Sequence, residues 1–449
     1  MNLWSILRPA AKLTVLLSIF HTTTLFAQQV TLRTETTSVG RLDVVVHPFT
    51  AVGDSAFVGD LPQSMRDLLR GDLEYSGYFN LINSEDLPPD TTIQVRRVGN
   101  TFDTLRTFTG SQAARIHGSI SFGWEEVTAS IAIFQPPFRD PIHLNDFHFQ
   151  SDQMRFAAHN IAGWVTEMLT GEQGAYTSKI VFVVKTGQNK DLWMMDWDGA
   201  NAHSLTRDQT LNLSPTWSPD GKTIYFTSFR AGNADVYKYD LESGQVSSFI
   251  ATPKVDSAPS VSLDGQWIAF ASSEKDNFEI FRIHPDGSNK TRITFSSRDD
   301  TSPSWSPTGR EIVFTSDRGG SPQIYIMDVE GIDVRRLSFE GVYNETPRWS
   351  PRGDLIAFCS RESNAFPRFQ IFTISPNGGR ERRLTDNGSN FDPCWSPDGM
   401  KVIFTSQVDG KSTIWTCNWD GSNRRQLTFG LEASQPSWGP SLSESDTEH

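Results

Sequence analysis

The sequence predicts an all-β six-bladed propeller built from WD40-like repeats, preceded by a smaller α/β domain. Three observations carry that prediction. A Trp-Ser-Pro-x-Gly signature starts at Trp217 and returns as Val261-Ser262-Leu263-Asp264-Gly265, then at Trp305, Trp349 and Trp395, with a partial copy at Trp438-Gly439-Pro440. The copies stand 44, 44, 44, 46 and 43 residues apart. A period in the low forties with several short strands per unit marks a propeller, in which each unit is one four-stranded blade. A second set of turns, Asp198-Gly199, Ser243-Gly244, Asp286-Gly287, Glu330-Gly331, Asn377-Gly378 and Asp420-Gly421, also numbers six. Third, the first unit begins at Lys179-Ile180-Val181-Phe182-Val183 with no tryptophan strand before it, while an orphan strand, Gln435-Pro436-Ser437-Trp438, follows the last. The orphan supplies what the first blade lacks, so the ring is expected to close by pairing the two ends, which removes exposed sheet edges.

Within a repeat the punctuation is regular. After Trp305 come the Thr308-Gly309 turn, a strand Glu311–Ser316, a polar loop Asp317–Gly320, a strand Gln323–Asp328, the Glu330-Gly331 turn and a short strand Arg335–Ser338. Glycine in each tight turn supplies the positive φ that hairpins need.

Residues 28–175 have a different texture. Arg41–Phe49, Ala114–Ile120, Val127–Phe134 and His143–Phe149 read as strands. Leu61 to Tyr75 has helical spacing through Leu61, Met65, Leu68, Leu69 and Leu73. A second helix is expected to be capped by Ser151 or Asp152 and stopped at Gly171, with Met154, Ala158, Ile161, Val165 and Met168 on one face. Residues 84–112 are polar and read as a loop. The division is therefore 1–27 leader, 28–175 α/β domain, 176–440 propeller and 441–449 acidic tail.

The leader has the order of a secretory signal: Arg8 and Lys12, an apolar core Leu13–Phe20, then Leu25-Phe26-Ala27, with cleavage expected after Ala27. No later run approaches twenty apolar residues, so the mature chain is expected to be soluble, exported and not membrane-spanning. With 53 acidic against 40 basic residues and a formal charge of −13, the composition argues against nucleic-acid binding. Cys359, Cys394 and Cys417 are odd in number and lie in strands, which points to buried free thiols. Five of the thirteen tryptophans belong to the repeat signature and read as packing residues.

Catalysis finds no footing in these residues. No G-x-S-x-G elbow, H-E-x-x-H or paired-cysteine motif occurs, and the histidines are scattered. The expectation is a binding protein without catalytic residues, cofactor or metal. The loops entering the inner strands offer Asn212, Asp256, Asp300, Thr301, Asn344, Glu345 and Asp392 as candidate partner-binding residues on one rim of the channel. Asp and Asn also cap turns, so a purely structural role stands beside that one.

The segments DLEYSGYFNLI (72–82), AAHNIAGWVTEM (157–168) and LTGEQGAYTSKIVFV (169–183), joined to W-S-P-D-G repeats followed by I-x-F-T-S and I-Y-x-M-D, resemble the TolB family, the periplasmic component of the Tol-Pal system. The resemblance covers nearly all of the mature chain. Departures are Val261 and Leu263 in the second repeat, the 84–112 segment and the acidic tail. The resemblance implies that the channel-mouth face receives Pal, the peptidoglycan-associated outer-membrane lipoprotein. It also implies that the chain links Pal to an inner-membrane Tol complex in envelope integrity and cell division. An exported propeller holding a small ligand, glycan or metal ion in its channel is the alternative reading.

Overall fold

The structure is a computed structural model that describes residues 41–441 except 53–58, 87–92, 99–100, 107–112, 124–125, 137 and 139. The expected leader, its cleavage site and residues 442–449 lie outside the described residues.

The N-terminal part is a mixed sheet with two helices. Its elements are β1 (Leu42–Val46), β2 (Thr50–Val52), α1 (Leu61–Ser76), β3 (Phe79–Leu81), β4 (Ile93–Val98), β5 (Thr101–Arg106), β6 (Ala114–Phe122), β7 (Val127–Phe134), β8 (His143–Phe149) and α2 (Met154–Thr170). Strand order is β3-β1-β6-β7-β8, with β2 also on β6. β1 runs parallel to β3 and β6, while β6, β7 and β8 are antiparallel. Alternation in β7 puts Val127, Ala129, Ile131 and Ile133 into the core, where Met65, Leu69 and Leu73 of α1 and Ala158, Ile161 and Val165 of α2 join them.

Three expectations change here. The 84–112 segment is not all loop: β4 and β5 pair as an antiparallel hairpin, with Val98 opposite Thr101. β2 and β3, each three residues long, escaped the sequence because a three-residue run carries too little periodicity. Ser151 and Asp152 do not cap α2; they sit in a single 3-10 turn, Ser151–Gln153, and α2 starts at Met154.

Six four-stranded sheets follow. Blade 1 holds Lys179–Thr186, Asn189–Asp196 and His203–Ser204, and its inner strand is the C-terminal Ala433–Trp438. That strand runs antiparallel to Lys179–Thr186, with Ala433 opposite Val184 and Trp438 opposite Ile180. Blades 2 to 6 start at Asn212, Asp256, Asp300, Tyr343 and Ser389, each contributing four consecutive strands. Closure by the two chain ends is as the sequence predicts. Cys359 and Cys417 are buried free thiols, and Cys394 is a half-buried one.

The N-terminal sheet and the propeller share one hydrophobic core. Trp197, in the hairpin of blade 1, is buried against Tyr75 of α1 (ring centroids 4.7 Å apart) and Tyr176 (5.0 Å). Around it run charged contacts. His159 Nδ1 lies 2.7 Å from Asp72 Oδ2, Arg155 pairs with Asp198, and Lys179 Nζ lies 2.6 Å from Asp196 Oδ1. Burial raises the Asp72 pKa, and the hydrogen bond to His159 only partly offsets it; burial works against ionisation of Asp198 too, yet Arg155 holds its pKa below the ordinary value. Gly77 ends α1 at φ 89°, where an added Cβ would stand 2.9 Å from Asn418 Oδ1. Only glycine permits both that turn and that approach. Arg352, which replaces the usual Asp of its turn, reaches Glu172 and the Tyr78 hydroxyl, so this departure from the repeat serves the contact between the two parts.

Lys401 of blade 6 is enclosed in the same junction. Its Nζ stands 4.1 Å from the Tyr75 ring and donates to Asn418 Oδ1 at 2.9 Å. Burial drives its pKa down from 10.5 to about 7. The folded state therefore binds fewer protons than the unfolded state between those values, and this residue makes stability rise with pH from about 7 to 10.5 and stay flat below. Lys401→Met is expected to melt higher at neutral pH, by roughly 1 kcal/mol, the low end for replacing buried charge with packed apolar volume. It should also lose that part of the alkaline rise. Melting curves for both proteins across this range check it; an identical pH slope would refute the assignment.

Candidate functional site: the propeller channel

The inner strand of every blade has the same local shape. The residue three before the tryptophan position takes a positive φ, at Ser214, Ala258, Ser302, Thr346, Asp392 and Gln435 (48° to 52°). A proline follows at each, and the pairing register with the second strand shifts there in all six blades. Such a bulge bends the strand and re-aims its side chains. The freed backbone N–H groups turn to the preceding blade: Ala258 N donates to Thr227 Oγ1, Thr346 N to Thr315 Oγ1 and Gln435 N to Thr405 Oγ1, at 3.2, 3.1 and 2.9 Å. The bulge thus both shapes the channel wall and ties neighbouring blades.

The candidate residues divide along this strand. Asn212, Asp256, Asp300 and Asn344 stand five positions before the tryptophan position and are all 0% exposed. They do not form the rim. The asparagines bond across the seam to the preceding blade: Asn212 Nδ2 donates to Thr206 Oγ1 at 3.2 Å, and Asn344 Nδ2 to Gln323 Oε1 at 2.8 Å. Asn390 repeats the pattern on Gln370 Oε1 at 2.9 Å. Asp300 instead pairs with Arg318 of its own blade at 2.9 Å, and burial raises its pKa against that pairing. The asparagines staple blades, while Asp300 is held within its own. The expectation that Asp300, Glu345 and Asp392 share one rim fails for a register reason: they occupy three successive positions of the repeat, and side-chain direction changes at each step.

Thr301 and Glu345, one position later, and Asp392, two positions later, are half-buried. Asp392 of blade 6 is near enough to Glu345 of blade 5 to act on it through charge. Burial lifts the pKa of Glu345 and the neighbouring Asp392 charge adds to it. Burial also lifts Asp392, opposed by a 3.1 Å hydrogen bond from Thr405 Oγ1 and by the charges of Arg348 and Lys190. Burial, then Glu345 and Asp392, push the buried Cys359 thiol well up, which leaves it protonated and unreactive.

Inner strands run from this acidic mouth to the Trp-Ser-Pro turns at the other end. There the channel encloses 260 Å³ lined by residues of all six blades, including Trp217, Trp305, Trp349, Trp395 and Trp438. Trp217, Trp305 and Trp395 donate Nε1–H to the backbone carbonyls of Ser437, Ser260 and Arg348 in the preceding blade, so they pack and anchor. Val261 leaves a gap in this ring, and Leu263 beside it is 58% exposed. The N-terminal part contacts this end: Arg155 of α2 meets Asp198, and Gly77, Tyr78 and Glu172 just beyond the helices meet Asn418, Asp398 and Arg352. The hairpin carboxylate Asp198 is thus an internal contact, whereas Asp286 is exposed.

The acidic mouth carries a feature the sequence reading passed over. Phe295, Phe339 and Phe429 are 76%, 72% and 72% exposed, each just before an inner strand. Their signal was the repeated pair Thr294-Phe295, Ser338-Phe339 and Thr428-Phe429 after the third strand. Arg292 and Arg336 lie over two of these rings at 4.7 and 5.0 Å. Exposed aromatic groups recurring on one face are unusual for a surface with no partner.

Residues 166–442 match the sequence profile of the TolB beta propeller domain. The chain belongs to the TolB propeller family. Relatives include the Tol-Pal system protein TolB of Azoarcus sp. strain BH72, 34% identical over 172 residues, which are 38% of this chain and 39% of that protein. Protein TolB homolog of Chlorobium chlorochromatii strain CaD3 is 32% identical over 178 residues, 38% of each chain. The chain spans about two fifths of the length of the curated relatives it matches. The crystal structure of TolB from Acinetobacter baumannii superposes with a TM-score of 0.73 at 25% identity, covering 89% of this chain and 97% of that one. This TolB-family chain therefore shares the arrangement of both its parts with a solved TolB. Among the described residues no helix is long and apolar enough to cross a membrane.

Proposed function

We propose that this protein is an exported scaffold of a Tol-Pal-like system, in which the acidic channel mouth holds a Pal-like outer-membrane lipoprotein and the chain connects it to an inner-membrane complex. The role is binding, with no reaction assigned, and the division into 28–175 and 176–440 is part of this reading. The observation that carries it is the pairing of half-buried carboxylates, Glu345 and Asp392, with exposed phenylalanines on the propeller end that the N-terminal helices leave uncovered. Partly desolvated charge supplies specificity, and aromatic groups supply contact area. Thr301 lies on the same wall and belongs to the proposed surface. Asn212, Asp256, Asp300 and Asn344 act on it only through the rigidity of the blades.

The test is equilibrium binding of a purified Pal-like lipoprotein domain at two salt concentrations. E345Q/D392N is expected to weaken capture at least tenfold and to reduce its salt dependence, with melting temperature retained. Asp286→Ala, at the opposite end of the propeller, should leave binding unchanged. Equal losses from the two variants would place the partner elsewhere.

A further inference from the structure

The blade-to-blade staples provide an internal comparison. At the seam between blades 4 and 5 the two buried partners are Gln323 and Asn344, and between blades 5 and 6 they are Gln370 and Asn390; both are neutral amide pairs. Between blades 3 and 4 the partners are acids, Glu279 and Asp300, and each has its own arginine: Arg292 lies 2.6 Å from Glu279 and Arg318 lies 2.9 Å from Asp300. Between blades 2 and 3 the partners are again acids, Asp235 and Asp256, 3% and 0% exposed. Here both arginines are missing. Register puts Ser248 opposite Tyr237, where Arg292 stands opposite Phe281. Glu274 follows Ser272 by two residues, as Arg318 follows Ser316, and it is engaged by Lys290. Neither Asp235 nor Asp256 makes an ion pair among the described residues.

A second observation points the same way. Asp256 Oδ2 accepts the Thr252 backbone N–H at 3.0 Å, but its Oδ1 has no hydrogen-bond partner. Ser272, directly across the ladder from Asp256 and 0% exposed, also has an unpartnered Oγ. Cross-strand partners project from the same face, so this hydroxyl is aimed at the same space as the free carboxylate oxygen. At the equivalent place in blade 2 the serine is satisfied, with Ser228 Oγ donating to Asn212 Oδ1 at 2.8 Å. Burial, and then the Asp256 charge, raise the Asp235 pKa, so the seam favours a compensating positive charge. Asp235 has one weak partner, Asn233 Nδ2 at 3.4 Å. Two buried carboxylates and a hydroxyl, all oxygen donors with no counter-charge, match the ligand chemistry of a hard cation.

We propose that the Asp235–Asp256–Ser272 seam between blades 2 and 3 is a binding site for a hard divalent cation of the calcium class, which takes the structural place of the two arginines at the next seam. The ion staples the blades from the side of the ring, away from the carboxylates in the channel. The site is independent of the proposed partner.

The experiment uses the full chain, stripped with a chelator and titrated with calcium alone, read by isothermal titration calorimetry and thermal melting. One site is expected at the seam, with melting raised by several degrees in millimolar calcium. D235Q/D256N installs the amide pair found between blades 4 and 5 and between blades 5 and 6. It is expected to fold, to melt above the chelated parent, and to show no calcium response at the seam. Asp256→Asn alone should weaken binding tenfold or more. E345Q/D392N, which neutralises the channel carboxylates, should keep the seam response in full. No calcium response in the parent, a response that survives D235Q/D256N, or one abolished by E345Q/D392N would each overturn the proposal.

Discussion

A chain that stops before Gln435 is expected to lose most of its stability and to aggregate. The lost segment does several jobs together. Its backbone supplies half of the paired positions between Ala433–Trp438 and Lys179–Thr186, those of Ser437 and Trp438. Trp438 is 6% exposed, and its Nε1–H donates to Ser178 Oγ at 2.7 Å. The Ser437 carbonyl receives the Trp217 indole of blade 2, and Gln435 Oε1 receives the Ser214 N–H. Removing a buried tryptophan alone costs about 3–5 kcal/mol, and the truncation adds an open sheet edge. Stabilities of whole domains run to about 5–15 kcal/mol, so the sum is a large fraction of what holds the ring. Thermal melting and size-exclusion chromatography of the truncated chain check this. An unchanged melting temperature and a monomeric profile would refute closure by the C-terminal strand.

Trp197→Ala is the second large effect expected, with a loss of about 3–5 kcal/mol. The side chain is 1% exposed at the point where α1, the linker and blade 1 meet, between Tyr75 and Tyr176. Its removal leaves a cavity beside the ionised groups Asp198 and Arg155, where entering water weakens their pairing. The damage should centre on the junction, so proteolysis within residues 171–178 should accelerate before the blades themselves melt. Trp197→Phe, which keeps an aromatic ring, should retain more than half of the lost stability. A destabilisation below about 1 kcal/mol for Trp197→Ala would mean that the two parts are held together elsewhere.

The blade count, the closing strand and the long strands and helices of the N-terminal part were legible in the chain, because each is a local pattern repeated or sustained over many residues. Gly309 and its counterparts fix turns, and strands such as Val127–Phe134 carry strict alternation, so neighbours along the chain decide their conformation. Short β2 and β3 carry no such signal and exist because longer strands offer them a ladder. The channel residues needed tertiary structure for a sharper reason. Asn212, Asp256, Asp300 and Asn344 look like turn-capping polar residues, and only the packing of one blade on the next shows that they are buried. Glu345 and Asp392 are 47 positions apart, and the Asp392 charge reaches Glu345 only because adjacent blades face one channel. Period and turn chemistry are written into the sequence one repeat at a time. Which polar side chain meets another across a seam depends on how the strands twist and stack, and the register of a bulge one residue long decides it.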